Sequence, residues 1–349
     1  MSEFSEIEEI VADGQSHSVE YVGTVGALFP IALMNLFLTI ITLGIYRFWA
    51  KTNVRKYLWS QTHLDGEPFE YTGTGGELFM GFLIVFFIFI LPLMIGLGLL
   101  TNYYPMIAQY GIFALYPFFI FLMGVALYRA QVYQMSRTQW RGIRGAQLPG
   151  SKAYGWLTLK YAVLYLITFG IIVPYVVCKM WNFMMNNKRL GSGVFKCNVS
   201  SKPLFKTWFI CLGMIIVLIA GVSSFFLEAA TTNNTTMFLA SYFISLIGFI
   251  VIFSYFQAKS ISHLISGLEF QSLKFEFELG IFEYITFSLV NVLLILFTLG
   301  FAAPFIVQRW VRLFAQKIKL KGQVDFSEIS QAPETGPRFG EGLVEAFDM

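Results

Sequence analysis

Residues 35–51 read NLFLTIITLGIYRFWAK, residues 161–179 read YAVLYLITFGIIVPYVVCK, and residues 291–309 read NVLLILFTLGFAAPFIVQR. The three stretches are copies of one another, and Thr42-Leu43-Gly44 aligns with Thr168-Phe169-Gly170 and with Thr298-Leu299-Gly300. The steps from 42 to 168 and from 168 to 298 are nearly equal, which marks an internal duplication. Each copy carries a helix breaker inside an apolar run, so the repeat says how the chain sits in a membrane. It names no reaction, and nothing else in the sequence does.

Hydrophobic residues make up 56% of the chain and charged residues 13%. A soluble domain carries about 25% charged residues, so this composition belongs to an integral membrane protein. The net charge of +3 gives no case for a nucleic-acid partner, and the positions of the cations matter more than their sum. Cys178, Cys197 and Cys211 have no paired spacing, and two of them adjoin basic loops. We expect reduced thiols rather than a disulfide or a metal set. The first twenty residues are acidic and polar (Glu3, Glu6, Glu8, Glu9, Asp13), without a signal peptide. The first apolar segment is therefore expected to direct insertion itself.

From Leu78 to Tyr128 no residue is charged, and Thr101 to Pro105 alone interrupts the run. Each half exceeds the ~20 residues needed to cross ~30 Å of hydrocarbon. Trp208–Leu227 and Met237–Ala258 repeat the pattern around a turn that begins at Glu228. Lys and Arg are absent from both turns and abundant at the other ends, so the turns are expected outside and the ends in the cytoplasm. The segment Trp156–Val177 lies between two basic loops, and crossing would put one of them outside. We therefore expect the three copies to enter from the cytoplasmic side, break at glycine and return. Pro174 and Pro304 suit the first turn of the returning helix; the first copy has Phe48 there. The alternative, seven full spans, would invert the second repeat, yet cations fall at matching positions in both. After the third break, Ile306, Trp310, Leu313, Phe314 and Ile318 share one helical face, with Arg309, Arg312, Gln316 and Lys319 on the other. That pattern predicts a helix in the interface with cations toward lipid phosphates.

A second motif recurs: EYVGTVGALF at 20–29 and EYTGTGGELF at 70–79. With 195–199, 275–279 and 324–326 it reads as short half-buried strands, which we expect to pair into a small cytoplasmic sheet. Gly73–Gly76 lacks the Gly-Lys-Ser/Thr of a phosphate loop and reads as a turn.

The TLGIY, TFGI and TLGF elements, the Phe-x-Tyr-x-Gly-Thr strand and the tail motif Gly340–Asp348 together resemble the YjgN-like family of bacterial inner-membrane proteins. The resemblance covers nearly the whole chain and implies a multi-pass place in the bacterial cytoplasmic membrane. It brings no activity and no site residues. The family usually has Pro four residues after the glycine, and Phe48 departs from that.

Arg137, Arg141 and Arg144 fall at i, i+4 and i+7, with Arg129 upstream, so one helical face is expected to present guanidiniums. They suit an anionic lipid headgroup, or serve only as a topology signal. Asn35 and Asn291 occupy equal places in two copies and either bond a neighbouring helix or line a polar path. Lys160 is expected to snorkel. The broken-helix residues Thr42, Gly44, Thr168, Gly170, Pro174, Thr298, Gly300 and Pro304 are candidate site residues, because non-helical backbone in a membrane must be buried in protein or face a cavity. A purely architectural bend is the plainer reading. His17, His63 and His263 are scattered and no catalytic grouping occurs, so no enzyme, cofactor or metal is expected.

These observations predict an all-α integral membrane protein: tandem repeats of helical hairpins plus broken, re-entrant helices, with short cytoplasmic β-strands. The expected divisions are a polar tail and first strand (1–26), repeat one (27–152), repeat two (153–280), a partial third repeat (281–321) and a polar tail (322–349). The leading functional expectation is a transporter or pore for a small solute. The alternative is a non-transporting scaffold or lipid-interacting protein. The expected partners are the bilayer and anionic lipid headgroups.

Overall fold

A computed structural model describes residues 17–322 together with 324, 326, 329 and 330. Most of both polar tails, Asp325 and the Gly340–Asp348 motif lie outside the described residues. In chain order the elements are β1 (Val19–Tyr21), α1 (Val25–Ile41), α2 (Arg47–Ser60), β2 (Thr62–Leu64) and β3 (Glu67–Tyr71). Then come α3 (Gly75–Val85), a π turn (Phe86–Ile90), α4 (Leu91–Tyr103), α5 (Pro105–Ser136), β4 (Thr138–Trp140) and β5 (Ile143–Gln147). They are followed by α6 (Ser151–Ile167), α7 (Val173–Asn186), β6 (Lys188–Leu190), β7 (Gly193–Cys197), α8 (Lys202–Thr231) and α9 (Thr235–Ser266). The last elements among the described residues are β8 (Leu268–Phe270), β9 (Leu273–Phe277), α10 (Ile281–Phe297), α11 (Ala303–Lys317) and β10 (Ile318–Lys321).

The expected plain all-α fold with a few short strands is overturned. Ten strands pair in chain order into one antiparallel sheet, and a bridge between His17 and Leu320 joins its first and last strands into a near-barrel. Four hairpins share one plan: a strand of three residues, two turn residues, a strand of five. Asp65-Gly66 and Arg141-Gly142 have positive φ at both turn positions, the type I′ geometry whose twist matches paired strands. The fifth place in the ring is filled by β10 and β1, from opposite ends of the chain. Of the expected strand at 324–326, Val324 and Phe326 lie outside any strand, after β10, and Asp325 lies outside the described residues.

In an antiparallel meander, connections alternate between two rims. All five helical connections therefore leave one rim, and the four tight turns line the other. The inside is filled: every strand contributes an apolar side chain to one cluster, among them Val19, Leu64, Trp140, Leu190, Phe270 and Leu320. Phe326 and Ile329 complete it after β10. The Phe326 ring meets Trp140 at 4.8 Å and His17 at 5.0 Å, and the Ser192 amide donates to the Ser330 carbonyl at 2.9 Å. On the turn rim Asp65 holds His17 at 2.6 Å.

The Tyr-x-Gly-Thr motif is the joint between strand and helix. Thr24 and Thr74 are N-caps, each accepting from a backbone amide three residues on, at 3.3 Å. The Tyr21 and Tyr71 rings fold back over Gly23 and Gly73, leaving no room for a Cβ.

Among the described residues four helices are long and apolar enough to cross a membrane: Gly75–Tyr103, Leu115–Ser136 within α5, Lys202–Thr231 and Thr235–Ser266. They form two long hairpins. α1/α2, α6/α7 and α10/α11 form three shorter pairs; short and long alternate along the chain, and closure sets α10/α11 beside α1/α2.

Trp140 is 0% exposed at the centre of the ring. Trp140→Ala is expected to cost roughly 3–5 kcal/mol, read as a clear fall in the thermal midpoint of the detergent-solubilised protein. An unchanged midpoint would mean that the ring does not hold the fold.

Candidate functional site

The three breaks share one geometry. Thr42, Thr168 and Thr298 are the C-caps of α1, α6 and α10. Each hydroxyl donates to the carbonyl four residues back, at 2.7, 2.8 and 2.6 Å. Leu43, Phe169 and Leu299 follow in the left-handed region (φ 50, 49 and 49), then Gly44, Gly170 and Gly300 (φ 92, 79 and 90). The glycine amides donate to Thr39, Tyr165 and Ile295 carbonyls at 2.7, 2.9 and 2.9 Å, and the residue before each donates to Ile40, Leu166 or Leu296. These are Schellman caps with a bulky residue where glycine is usual. Left-handed backbone costs an L side chain about 1–2 kcal/mol. The next helix starts on the same threonine in two copies: Tyr46 N–H to Thr42 and Ala302 N–H to Thr298, both 2.9 Å. Pro174 and Pro304 open α7 and α11. The first copy makes the same break with Phe48, so proline is dispensable.

At the tips, Leu43, Phe169 and Leu299 are 94%, 91% and 96% exposed. The breaks therefore project apolar side chains outward and satisfy their own backbone. A shallow apolar cleft of about 250 Å³ lies between α8 and α9 around Leu218, Val222 and Phe249.

Two contacts fix the level of the breaks against the long hairpins. The Trp208 indole N–H donates to the Gly170 carbonyl at 3.0 Å, and its ring meets Phe256 at 4.8 Å. From there α8 runs on for about 35 Å and α9 for about 32 Å, at 1.5 Å per residue. In the first pair, the Phe48 ring lies 5.2 Å from Phe82, and α3/α4 runs on for about 32 Å. Both lengths match a hydrocarbon core of ~30 Å.

The expected arginine face does not exist. α5 stops at Ser136 and the chain turns into the β4/β5 hairpin. Arg137 caps the helix and bonds Glu77 at 2.9 Å. Arg141 occupies the hairpin tip, on the rim away from the helices, over Trp140 at 4.7 Å. Arg144 lies in β5 opposite Gln139, and Arg129 remains on α5. The amphipathic reading of α11 fails in part too. The helix ends at Lys317, so Ile318 and Lys319 belong to β10. Arg312 donates to the Gly23 carbonyl at 2.8 Å, and Arg309 lies over Phe287 at 5.2 Å. Both turn toward protein rather than lipid.

Asn35 joins the legs of its pair, donating to the Ala50 carbonyl at 3.3 Å and accepting from Asn53 at 3.1 Å. Asn291 has Arg309 in the place of Asn53, and its carbonyl oxygen has no partner. Gln308 is 1% exposed, beside Tyr21, whose phenol burial pushes up to about 12. Lys160 lies over the Tyr161 ring at 6.0 Å. Burial pushes the Cys197 thiol up to about 11, which opposes thiolate chemistry there. Sequence reading missed a cation row on α2 (Arg47, Lys51 and Arg55), although its spacing of four was legible.

Comparison with known proteins follows this geometry. The Salmonella typhimurium protein named "Inner membrane protein YjgN" is 25% identical over 373 residues, covering 91% of this chain and 92% of its own length. Proteins of the same name from Escherichia coli O157:H7 and strain K12 are 32% identical over 161 residues and 27% over 226. Those matches cover 46% and 64% of this chain, and 38% and 49% of the relatives. No solved structure matches. The family described as "Bacterial protein of unknown function (DUF898)" matches residues 16–346, and this chain belongs to it.

Gly170 has positive φ, and a Cβ would meet the Tyr165 ring at 3.2 Å, whereas Gly96 lies in open space within α4. Gly170→Ala is expected to cost about 1–2 kcal/mol, Gly170→Leu more, and Gly96→Ala nothing. Unfolding in detergent measures this, and equal effects would remove any special role for the break.

Proposed function

We propose that this family member is a multi-pass inner-membrane scaffold that contacts lipid and conducts no solute. Two long hairpins cross the bilayer, and three broken pairs seat the filled ring on the cytoplasmic leaflet. One observation carries the reading: the three break tips expose Leu43, Phe169 and Leu299 almost fully. An aqueous route would want polar groups there. Three further facts support it. The break backbones are satisfied internally, so they need no water-filled cavity. The ring interior is packed with side chains, as in small closed barrels. Every cation-rich loop joins the ring, which agrees with a cytoplasmic position by the positive-inside rule.

The reading reverses the order of the two sequence expectations. Repeated broken helices suggested transport, but transporters point half-helix ends and polar groups at a midplane ligand. Here Gly170 and Phe48 stand at the near end of the ~30 Å stretch of long helix, not at its middle. The short pairs are thus shallow re-entrant elements, resting in the interface as amphipathic anchors do.

Depth measurement tests this. With the native cysteines replaced, Leu43→Cys, Phe169→Cys and Leu299→Cys carry a fluorophore in liposomes containing lipids brominated at known depths. Quenching should be strongest for bromines near the headgroup. Strongest quenching at the bilayer centre, or none at all, would overturn the interfacial placement. Impermeant thiol reagents should reach cysteines beside Arg144 and Arg189 from the same side. Reaction from opposite sides would mean that α6/α7 crosses.

A further inference from the structure

We propose that Arg47, Lys51 and Arg55 on α2 form a binding site for the phosphate headgroup of an anionic phospholipid, seated between the first broken pair and the first long hairpin. The proposal rests on the lipid-contacting reading above and names the lipid class and the place.

The three residues stand at i, i+4 and i+8, so they lie on one face of α2 over about 12 Å. Arg47 and Lys51 are exposed. None of the three pairs with a carboxylate among the described residues. Arg47 lies over the Phe48 ring, and Arg55 donates to the Tyr71 hydroxyl at 3.0 Å, which leaves further donors on its fork. Glu77, the acid on neighbouring α3, is engaged by Arg137 at 2.9 Å and by the Tyr133 hydroxyl at 2.8 Å. Three cations on one face repel each other. Partial desolvation, with the charges of Arg55 and Arg47, pulls the Lys51 ammonium below its ordinary range. A phosphate among them would remove that cost through charge-assisted bonds.

The other copies show that the row is particular to this place. Where α2 has Arg47, Lys51 and Arg55, α7 has Val173, Val177 and Trp181, and α11 has Ala303, Val307 and Val311. In α7 this face packs on the second long hairpin. Val173 lies against Cys211 and Phe256, and the Trp181 indole donates to the Leu264 carbonyl at 3.1 Å. In the second copy this face is the seam with the following hairpin; in the first copy Phe48 and Trp49 meet the hairpin through Phe79 and Phe82, and the cations stand beside that seam.

The row begins at the level of the breaks, where headgroups lie in the reading above. Phe48 lies beside Phe82, and Phe82 and Val85 are exposed on α3 just beyond it. They offer an apolar wall for acyl chains directly past the cations. A free phosphate would use the cations alone; a lipid uses both.

The test uses the full-length protein in detergent and in nanodiscs. Phosphatidylglycerol should raise the thermal midpoint and remain bound in native mass spectrometry, while phosphatidylcholine should not. Replacing all three cations by Gln should weaken phosphatidylglycerol binding by roughly 100-fold, the order expected for three interfacial cations. Removing equal charge elsewhere (Lys196, Lys202 and Lys206 to Gln) should weaken it far less. Lys51→Glu, a single change at an exposed position, should also abolish the preference if the triple variant does not fold. Glycerol phosphate, a headgroup without tails, should neither stabilise nor compete at equal concentration. Equal loss in both triple variants, no preference in the wild type, or full competition by glycerol phosphate would each overturn the site. Should the site fail while the tips still show shallow quenching, the scaffold reading stands alone.

Discussion

Ten strands of three to five residues have no stability apart from one another, and this constraint organises the rest of the molecule. A two-stranded hairpin is marginal in water, and an unpaired edge leaves a row of orphan donors and acceptors. Each hairpin here lies between two other strands, and the bridge between His17 and Leu320 brings together the two strands that would otherwise be edges, β1 and β10. Closure places the two ends of the described chain side by side. It also requires every excursion from the helical rim to come back to that rim. A long excursion becomes a hairpin that can cross a bilayer twice; a short one becomes a bent pair. Equal numbers of outward and returning helices follow from the ring, before any property of the membrane enters.

The bent pairs obey the same accounting of backbone groups. A helix that stops in an apolar setting must find partners for its last carbonyls. The Thr-x-Gly break supplies them from the chain itself. One hydroxyl ties back to the ending helix, and in two copies it also accepts from the starting one. With those groups satisfied, the residue between threonine and glycine is free to be chosen by its surroundings. It is Leu, Phe and Leu. A bulky side chain in left-handed backbone is a local cost, and burying it in lipid contributes about 1.5–3 kcal/mol in return. The same choice in three copies fits the interfacial placement proposed for the tips.

Much of this was legible in the sequence: the repeat, the two uncharged hairpins, the breaks and several strands follow from residue pattern. The ring did not, for a physical reason. Strands of three residues show no periodicity of their own, and their partners lie across intervening helical segments. The surviving signals were the turns, Asp65-Gly66 above all, which is a strong hairpin dipeptide. The arginine face was a misreading of the same kind. Arg137, Arg141 and Arg144 have helical spacing only by accident, because Arg141-Gly142 is a two-residue turn between Trp140 and Ile143. The spacing of four that does lie on a helix runs from Arg47 to Lys51 to Arg55, in the same copy as the Gly44 break.

Duplication explains why the copies can differ in this way. The ring and the breaks fix the backbone of every copy, so side chains on the outer faces are released from holding the fold. In α7 the seam toward the next hairpin is apolar and closes by packing, through Val173, Val177 and Trp181. In the first copy the corresponding positions hold Arg47, Lys51 and Arg55, the packing on the next hairpin passes to Phe48 and Trp49, and the cations repel one another. The other two copies keep these positions apolar, with Val173, Val177 and Trp181 in α7 and Ala303, Val307 and Val311 in α11, so the cations are particular to the first copy. Cations that oppose each other are balanced when a negatively charged group lies between them. Under the proposed placement this face stands at the bilayer boundary, where phosphates are most concentrated.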